Sequence, residues 1–220
     1  MSAVADSTFV GDLVAEQPGR ARLFERLGID YCCGGRRPLA DACRERGLDP
    51  TTVAVLLSAL PEEGEVRPDD WSSAPLADLC DHIVDVHHAF LRRELPRLSE
   101  LLEKCERAHG DERPELHETR LTFESLRREL EEHLEDEERN VFPRISAGER
   151  LESEQLPLLE SEHEAAGALL RRLSELTGGY DTGAALCNTH RVTLSSLAEL
   201  ERDLHEHIHE ENNILFPRAC

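Results

Sequence analysis

The chain has 220 residues, enough for one large domain or two smaller ones with a proper buried core. Its 46 acidic residues against 25 basic ones give a formal charge of −21, a surface that repels nucleic-acid phosphates and anionic membranes. Aromatics at 4 % and nearly absent β-branched runs exclude an all-β fold and favour a helical one with a core of Leu, Ala and Val. No apolar run approaches the roughly 20 residues of a membrane helix. The opening MSAVADSTFVGDLVAEQ lacks a basic n-region and does not read as a secretory signal. Seven irregularly spaced cysteines predict reduced thiols and a cytoplasmic location rather than a disulfide framework.

Residues 1 to about 60 predict a small helical domain. A helix from Val10 to Glu16 stops at Pro18, and a second runs to Leu27, where Gly28 ends it. The turn IDYCCGG follows, then a helix from Pro38 to Arg46 and another opening at Pro50. The Pro-rich, acidic stretch 61–75 reads as a linker, with Trp71 anchoring it on one domain. From Leu76 to the end, four long helical patterns (75–109, 114–143, 153–177 and 183–216) predict an up-down four-helix bundle over 76–220. Pro96 should kink the first of these without ending it.

The bundle contains an internal repeat. His88 is followed after 44 residues by His133, then Glu137, and the half closes on Phe142-Pro143. His163 is followed after 43 residues by His207, then Glu211, and closes on Phe216-Pro217. The spacing His-x-x-x-Glu occurs in two of the 11 histidines, which is no more than chance in so acidic a chain. The signal lies in both pairs occupying matched places in a duplicated helical hairpin.

These residues also fall on the predicted apolar stripes, which advance in steps of three and four. The second helix reads Leu116, Thr119, Phe123, Leu126, Leu130, His133, Glu137, Asn140; the fourth reads Leu197, Leu200, Leu204, His207, Glu211, Ile214. In the first, Val84, His88, Leu91, Leu95, Leu98 and Leu102 share a face; in the third, Leu156, Leu159, His163, Ala166, Leu170 and Leu173 do. Six inward-facing polar groups, buried and unpaired, would cost several kcal/mol each. The alternatives are a hydrogen-bonded polar layer, a solvated groove or a metal site, and the duplication favours metal. Nitrogen and oxygen donors without thiolate suit iron, manganese or zinc. Six ligands on four helices match two ions, each with two imidazoles, bridged by Glu137 and Glu211. Positions then stay open for an oxo bridge, water, O2 or nitric oxide.

His205-Glu206-His207-Ile208-His209 also fits the HExxH pattern of zinc proteases. Positions 205 and 209 lie about 200° around the helix from His207, among Glu201, Arg202 and Asn212, which predicts a solvent face and no third ligand. His82, His87, His117 and His190 are expected at the surface or behind the ligands. His109 is expected to stabilise a helix C-terminus, with a part in iron binding left open. Glu129 and Glu162 are candidates to orient ligand imidazoles or relay protons.

Cys32 and Cys33 are too close along the chain for an ordinary disulfide. Their place before a helix, near Arg36 and Arg37, predicts lowered thiol pKa values. Soft-metal binding, nitrosothiol chemistry and thiol exchange stand against two small buried hydrophobes at a tight turn. Cys43, Cys80, Cys105, Cys187 and Cys220 lack ligand spacing.

The strings IDYCCGG, DWSSAPLADLCDHI, ESEHEAAG and ENNILFPRA resemble the RIC family, the di-iron proteins for repair of iron centres, across essentially the whole chain. The resemblance implies an all-α architecture, an ScdA-type domain followed by a hemerythrin-like bundle, with metal ligands His88, His133, Glu137, His163, His207 and Glu211. It implies two non-haem irons, and repair of iron–sulfur clusters after nitrosative or oxidative damage by iron donation. Damaged cluster proteins are the implied partners, with O2 or NO as small ligands and homodimers known in the family. Nitric oxide reduction to nitrous oxide, which would make the protein an enzyme, and gas sensing without turnover are the competing readings. Cys32 and Cys33 separate them, since a gas reductase or carrier has no evident need for a thiol pair.

Overall fold

In the computed structural model, described over residues 4–60, 71–152 and 154–220, every regular element is helical. The ten residues 61–70 of the expected linker lie outside the described residues. No helix among the described residues is long and apolar enough to cross a membrane. The chain forms two compact units, Cys80–Leu204, and Met1–Leu79 together with His205–Cys220.

The first helices follow the Pro and Gly punctuation. α1 is Val10–Glu16, a 3-10 turn takes Pro18–Arg20, α2 is Ala21–Leu27, α3 is Leu39–Glu45 and α4 is Pro50–Ala59. Gly28 ends α2 at φ 65°, in the left-handed region, and Ile29 N–H reaches back to the Phe24 carbonyl at 2.9 Å. Asp49 opens α4 by accepting from Thr52 N–H at 2.8 Å, with Pro50 at the first helical position. Val10, Leu13, Phe24, Tyr31, Leu39, Val53 and Leu57 form the core of this unit, joined by Ile208 of the last long helix.

The bundle starts with α5 (Leu76–Ile83), passes through a π-helical turn at Val84–His88 and continues as α6 (Ala89–His109). Pro96 lies inside α6, which runs on to His109. α7 (Glu115–Asp136) leads into a second π turn, Glu137–Val141, and α8 (Phe142–Ser146); α9 is Leu156–Leu176. α10 (Asn188–Glu210) ends in a third π turn, Glu211–Leu215, and α11 (Phe216–Ala219). Leu91, Leu95, Leu98, Phe123, Leu126, Leu170, Leu173, Leu197, Leu200 and Leu204 make one core from four helices. Neighbours run antiparallel: the end of α6 meets the start of α10 through Cys105 and Thr193 (3.5 Å), and Arg172 late in α9 pairs with Glu118 early in α7.

The π turns carry the chemistry-bearing residues, as such local widenings often do. His88 closes the first, Glu137 opens the second and Glu211 opens the third. In the last two, Pro143 and Pro217 explain why the α ladder opens here: neither has an N–H to return to the carbonyl four residues earlier. The extra residue in each π turn also moves the buried stripe by one position. Asn140, expected inside, is exposed, and Val141 is buried instead. Val84 is half-buried while Ile83, His87 and His88 are buried. Leu156, at the start of α9, is likewise only half-buried.

Candidate metal centre

Within the unit Cys80–Leu204, three helices bring His88, His133, Glu137 and His163 inward. His88 and Glu137 have no exposed surface, and His163 and His133 are 2 % and 8 % exposed. One oxygen of Glu137, Oε2, lies 3.4 Å from Nε2 of both His88 and His133. His133 Nε2 is in turn 3.0 Å from His163 Nε2. All three donors of the His133, Glu137, His163 group lie within 4.8 Å of one another. Two imidazole nitrogens bound about 2.1 Å from one ion at right angles would stand about 3.0 Å apart. The observed spacing therefore fits a shared cation, and the nitrogen and oxygen donor set suits iron, manganese or zinc. A direct hydrogen bond at that distance would require one ring to keep its Nε2 proton.

The far side of two of these rings is also set. His88 Nδ1 is 2.7 Å from Glu138 Oε1, which Arg92 contacts as well at 2.7 Å, and His133 Nδ1 is 2.8 Å from Glu162 Oε2. A carboxylate on Nδ1 holds the proton there and leaves the Nε2 lone pair facing inward, the form in which imidazole binds a metal. Burial acts to raise the Glu138 carboxyl, but Arg92 and His88 outweigh it and hold it below the usual carboxylate range. The His88 ring also stacks on Phe142 at 5.6 Å.

The unit Met1–Leu79 with His205–Cys220 contains the other predicted pair. His207 is 1 % exposed and Glu211 fully buried, with His207 Nε2 and Glu211 Oε1 2.9 Å apart one helical turn along. The segment beyond His207 is covered by the cysteine loop. Tyr31 packs edge-on against His205 and His209, at centroid distances of 6.2 and 5.6 Å. Asn213 donates to the Tyr31 and Cys32 carbonyls at 3.2 and 3.0 Å and lies 3.1 Å from His209 Nδ1.

Several expectations are corrected. His209 and Asn212, expected on a solvent face, are 5 % and 6 % exposed, and Tyr31 packs over His209. Burial pushes the His209 pKa down to about 4, so the ring is neutral near pH 7. His87 and His190 are buried, on Asp203 (3.0 Å) and on the Leu186 N–H (3.1 Å) respectively; His117 is exposed as expected. His109 stands about 30 Å along α6 from His88 and takes no part in the cluster. The Cys32 thiol is raised rather than lowered: its hydrogen bond with Cys33, burial, and the charges of Cys33 and Asp30 all favour the protonated form.

Of the two auxiliary acids, Glu162 is in contact with a candidate ligand and Glu129 is exposed. Glu138 was missed by sequence reasoning, although its place directly after Glu137 was the available signal. None of the seven cysteines is in a disulfide. Arg218 ties the Trp71 and Ala74 carbonyls, so the backbone at Trp71 is anchored there.

Residues 81–219 match the hemerythrin HHE cation binding domain, and residues 6–61 match the ScdA_N domain, a domain of unknown function (DUF542). The chain is 36 % identical over 212 residues to the iron-sulfur cluster repair protein YtfE of Pectobacterium carotovorum subsp. carotovorum, covering 96 % of this chain and 95 % of that protein. Identity to the YtfE protein of Escherichia coli O81 is 36 % over 211 residues, and to that of Musicola paradisiaca 37 % over 213, each covering 96 % of this chain and 95 % of the relative.

Proposed function

The chain belongs to the RIC family of YtfE-type iron–sulfur cluster repair proteins, and from that premise we propose that it binds two non-haem iron ions in its bundle and donates iron to damaged iron–sulfur clusters. The ligands proposed for them are the six residues of the sequence repeat, His88, His133, Glu137, His163, His207 and Glu211, with Glu137 and Glu211 as the carboxylates that would be shared. The domain organisation proposed with it is an ScdA-type domain over 1–60, a linker over 61–75 and a cation-binding bundle over 76–220.

The observation that carries this reading is the buried meeting of His133, Glu137 and His163, with Nε2 atoms 3.0 Å apart and Nδ1 of His133 turned out to Glu162. Imidazoles and carboxylates without thiolate suit iron, and a thiolate- or sulfide-rich cluster site is the softer acceptor to which it would pass. The residues' own part is to exclude water, as the full burial of His88, Glu137 and Glu211 permits. They also keep the His88 and His133 rings in the metal-binding tautomer through Glu138 and Glu162.

The test is anaerobic purification with iron analysis and Mössbauer spectroscopy on the wild type, Glu137→Leu and Glu211→Leu. An alkyl side chain cannot replace a shared carboxylate, so both variants should hold less than two irons per chain and lose most cluster-repair activity. Variants that retain two irons and full activity would refute the shared-carboxylate reading.

A further inference from the structure

We infer that Asp30, Cys32 and Cys33 form a second metal site, for one thiophilic divalent cation of the zinc type. Their donor atoms, one from each residue, lie within 4.8 Å of one another. Cys32 Sγ is 3.4 Å from Asp30 Oδ1. With a metal–sulfur bond of about 2.3 Å and a metal–oxygen bond of about 2.0 Å, a tetrahedral angle sets the sulfur and oxygen about 3.5 Å apart. The spacing already present is the one such an ion needs. Two thiolates and a carboxylate from a stretch of four residues leave the fourth tetrahedral position for water or an incoming ligand. The donors differ in kind from the thiolate-free set of the bundle, and thiolates favour a thiophilic ion at this loop.

The loop is held in this form by the rest of its unit. Asp30 Oδ1 accepts from the N–H groups of Cys32 and Gly34, at 3.1 and 3.0 Å, which fixes the turn around the thiols. Asn213 holds the Tyr31 and Cys32 carbonyls, and Gly11 N–H donates to the Gly35 carbonyl at 2.8 Å. There is no slack for side chains: a Cβ on Gly35 would meet Asn213 Oδ1 at 2.1 Å. Cys32 is 6 % exposed and Cys33 half-buried, so one face of the site is packed and the other can be reached.

Without a cation, three groups that become anionic on losing a proton crowd together; the hydrogen bond with Cys33, burial, and then the charges of Cys33 and Asp30 keep the Cys32 thiol protonated. A divalent ion reverses that preference. Binding converts two thiols to thiolates, forms two metal–sulfur bonds and one metal–oxygen bond, and releases two protons to solvent. Affinity therefore falls as the solution is acidified.

Cobalt(II) is the probe, because thiolate ligation gives a near-ultraviolet charge-transfer band that histidine and carboxylate ligands do not. Iron-loaded full-length protein, reduced and anaerobic, is expected to bind one equivalent of Co2+ with that band, which stoichiometric Zn2+ removes. The band should be absent from the Cys32→Ser, Cys33→Ser double variant. In Asp30→Asn, whose amide oxygen still accepts both loop N–H groups, affinity should fall at least tenfold. Glu137→Leu should keep the band, so its result is independent of the bundle iron. No charge-transfer band, a band that survives in the double variant, or wild-type affinity in Asp30→Asn would overturn the assignment.

Discussion

The orientation of single imidazoles carries much of the site's chemistry. His88 and His133 each place one ring nitrogen toward Glu137 and the other on an outer carboxylate, Glu138 or Glu162. Removing that carboxylate frees the tautomer and the ring angle, and such changes typically cost about 10–100-fold in metal affinity. Glu138→Ala and Glu162→Ala are both expected to weaken iron retention in a chelator-competition assay. The larger loss is expected for Glu138→Ala, because the Glu138 side chain is 24 % exposed and braced by Arg92, whereas that of Glu162 is 45 % exposed. Equal iron retention in Glu138→Ala and the wild type would show that His88 is held by packing alone.

Within the unit Met1–Leu79 with His205–Cys220, elements meet through a few close fits. Gly35 and Gly11 approach the Asn213 side chain so closely that a methyl group at Gly35 would overlap its oxygen. Gly35→Ala should lower stability by about 1–3 kcal/mol, the usual range for overpacking. The same substitution in an Asn213→Ala background should cost less, since the opposing group is gone. Urea denaturation of the two single variants and the double variant reads this coupling directly, and additive effects would refute the steric account.

On α6, Glu94 bonds Arg93 and Arg97, and Arg97 reaches Ser196 on α10 at 2.6 Å. Burial works to raise the Glu94 carboxyl, but the bonds and charges of Arg97 and Arg93 outweigh it and hold it below the usual range. A carboxyl lowered in the folded state contributes stability that is present above its unfolded pKa of about 4.3 and lost as pH falls through the folded value. Glu94→Gln should therefore cost about 0.5–1 kcal/mol at pH 7, with both arginines partly solvated. Urea midpoints should show that gap narrowing between about pH 5 and 3; a constant gap would assign the effect to packing.

For the molecule as a whole, bound cations are expected to be a source of stability. Glu137 and Glu211 are completely buried in a chain that already carries a formal charge of −21. A ligand present at a hundredfold its Kd stabilises the fold by about 2.7 kcal/mol. Stripping iron with a chelator should accordingly lower the calorimetric melting temperature by several degrees in the wild type and by much less in Glu137→Leu. An unchanged wild-type melting temperature would mean that the buried carboxylates need no cation to be stable.

The amino-acid order alone determined the helical class, most helix ends and the inward face of the six candidate ligands, because these follow from local rules. Proline cannot donate a backbone bond at Pro50, glycine adopts φ 65° at Gly28 with no Cβ to clash, and a stripe of leucines two turns long fixes which side of a helix is buried. Residues brought together from distant parts of the chain were not legible in that way. That Asn140 turns outward depends on a π turn whose extra residue shifts the helical phase. His209 is buried because Tyr31, far away in sequence, covers it. The Cys32 thiol is raised because Cys33 and Asp30 crowd it within a buried loop, where nearby arginines in the sequence had suggested the opposite. Periodicity constrains neighbours one turn apart; desolvation and charge depend on whatever packs from elsewhere, and only the folded chain decides that.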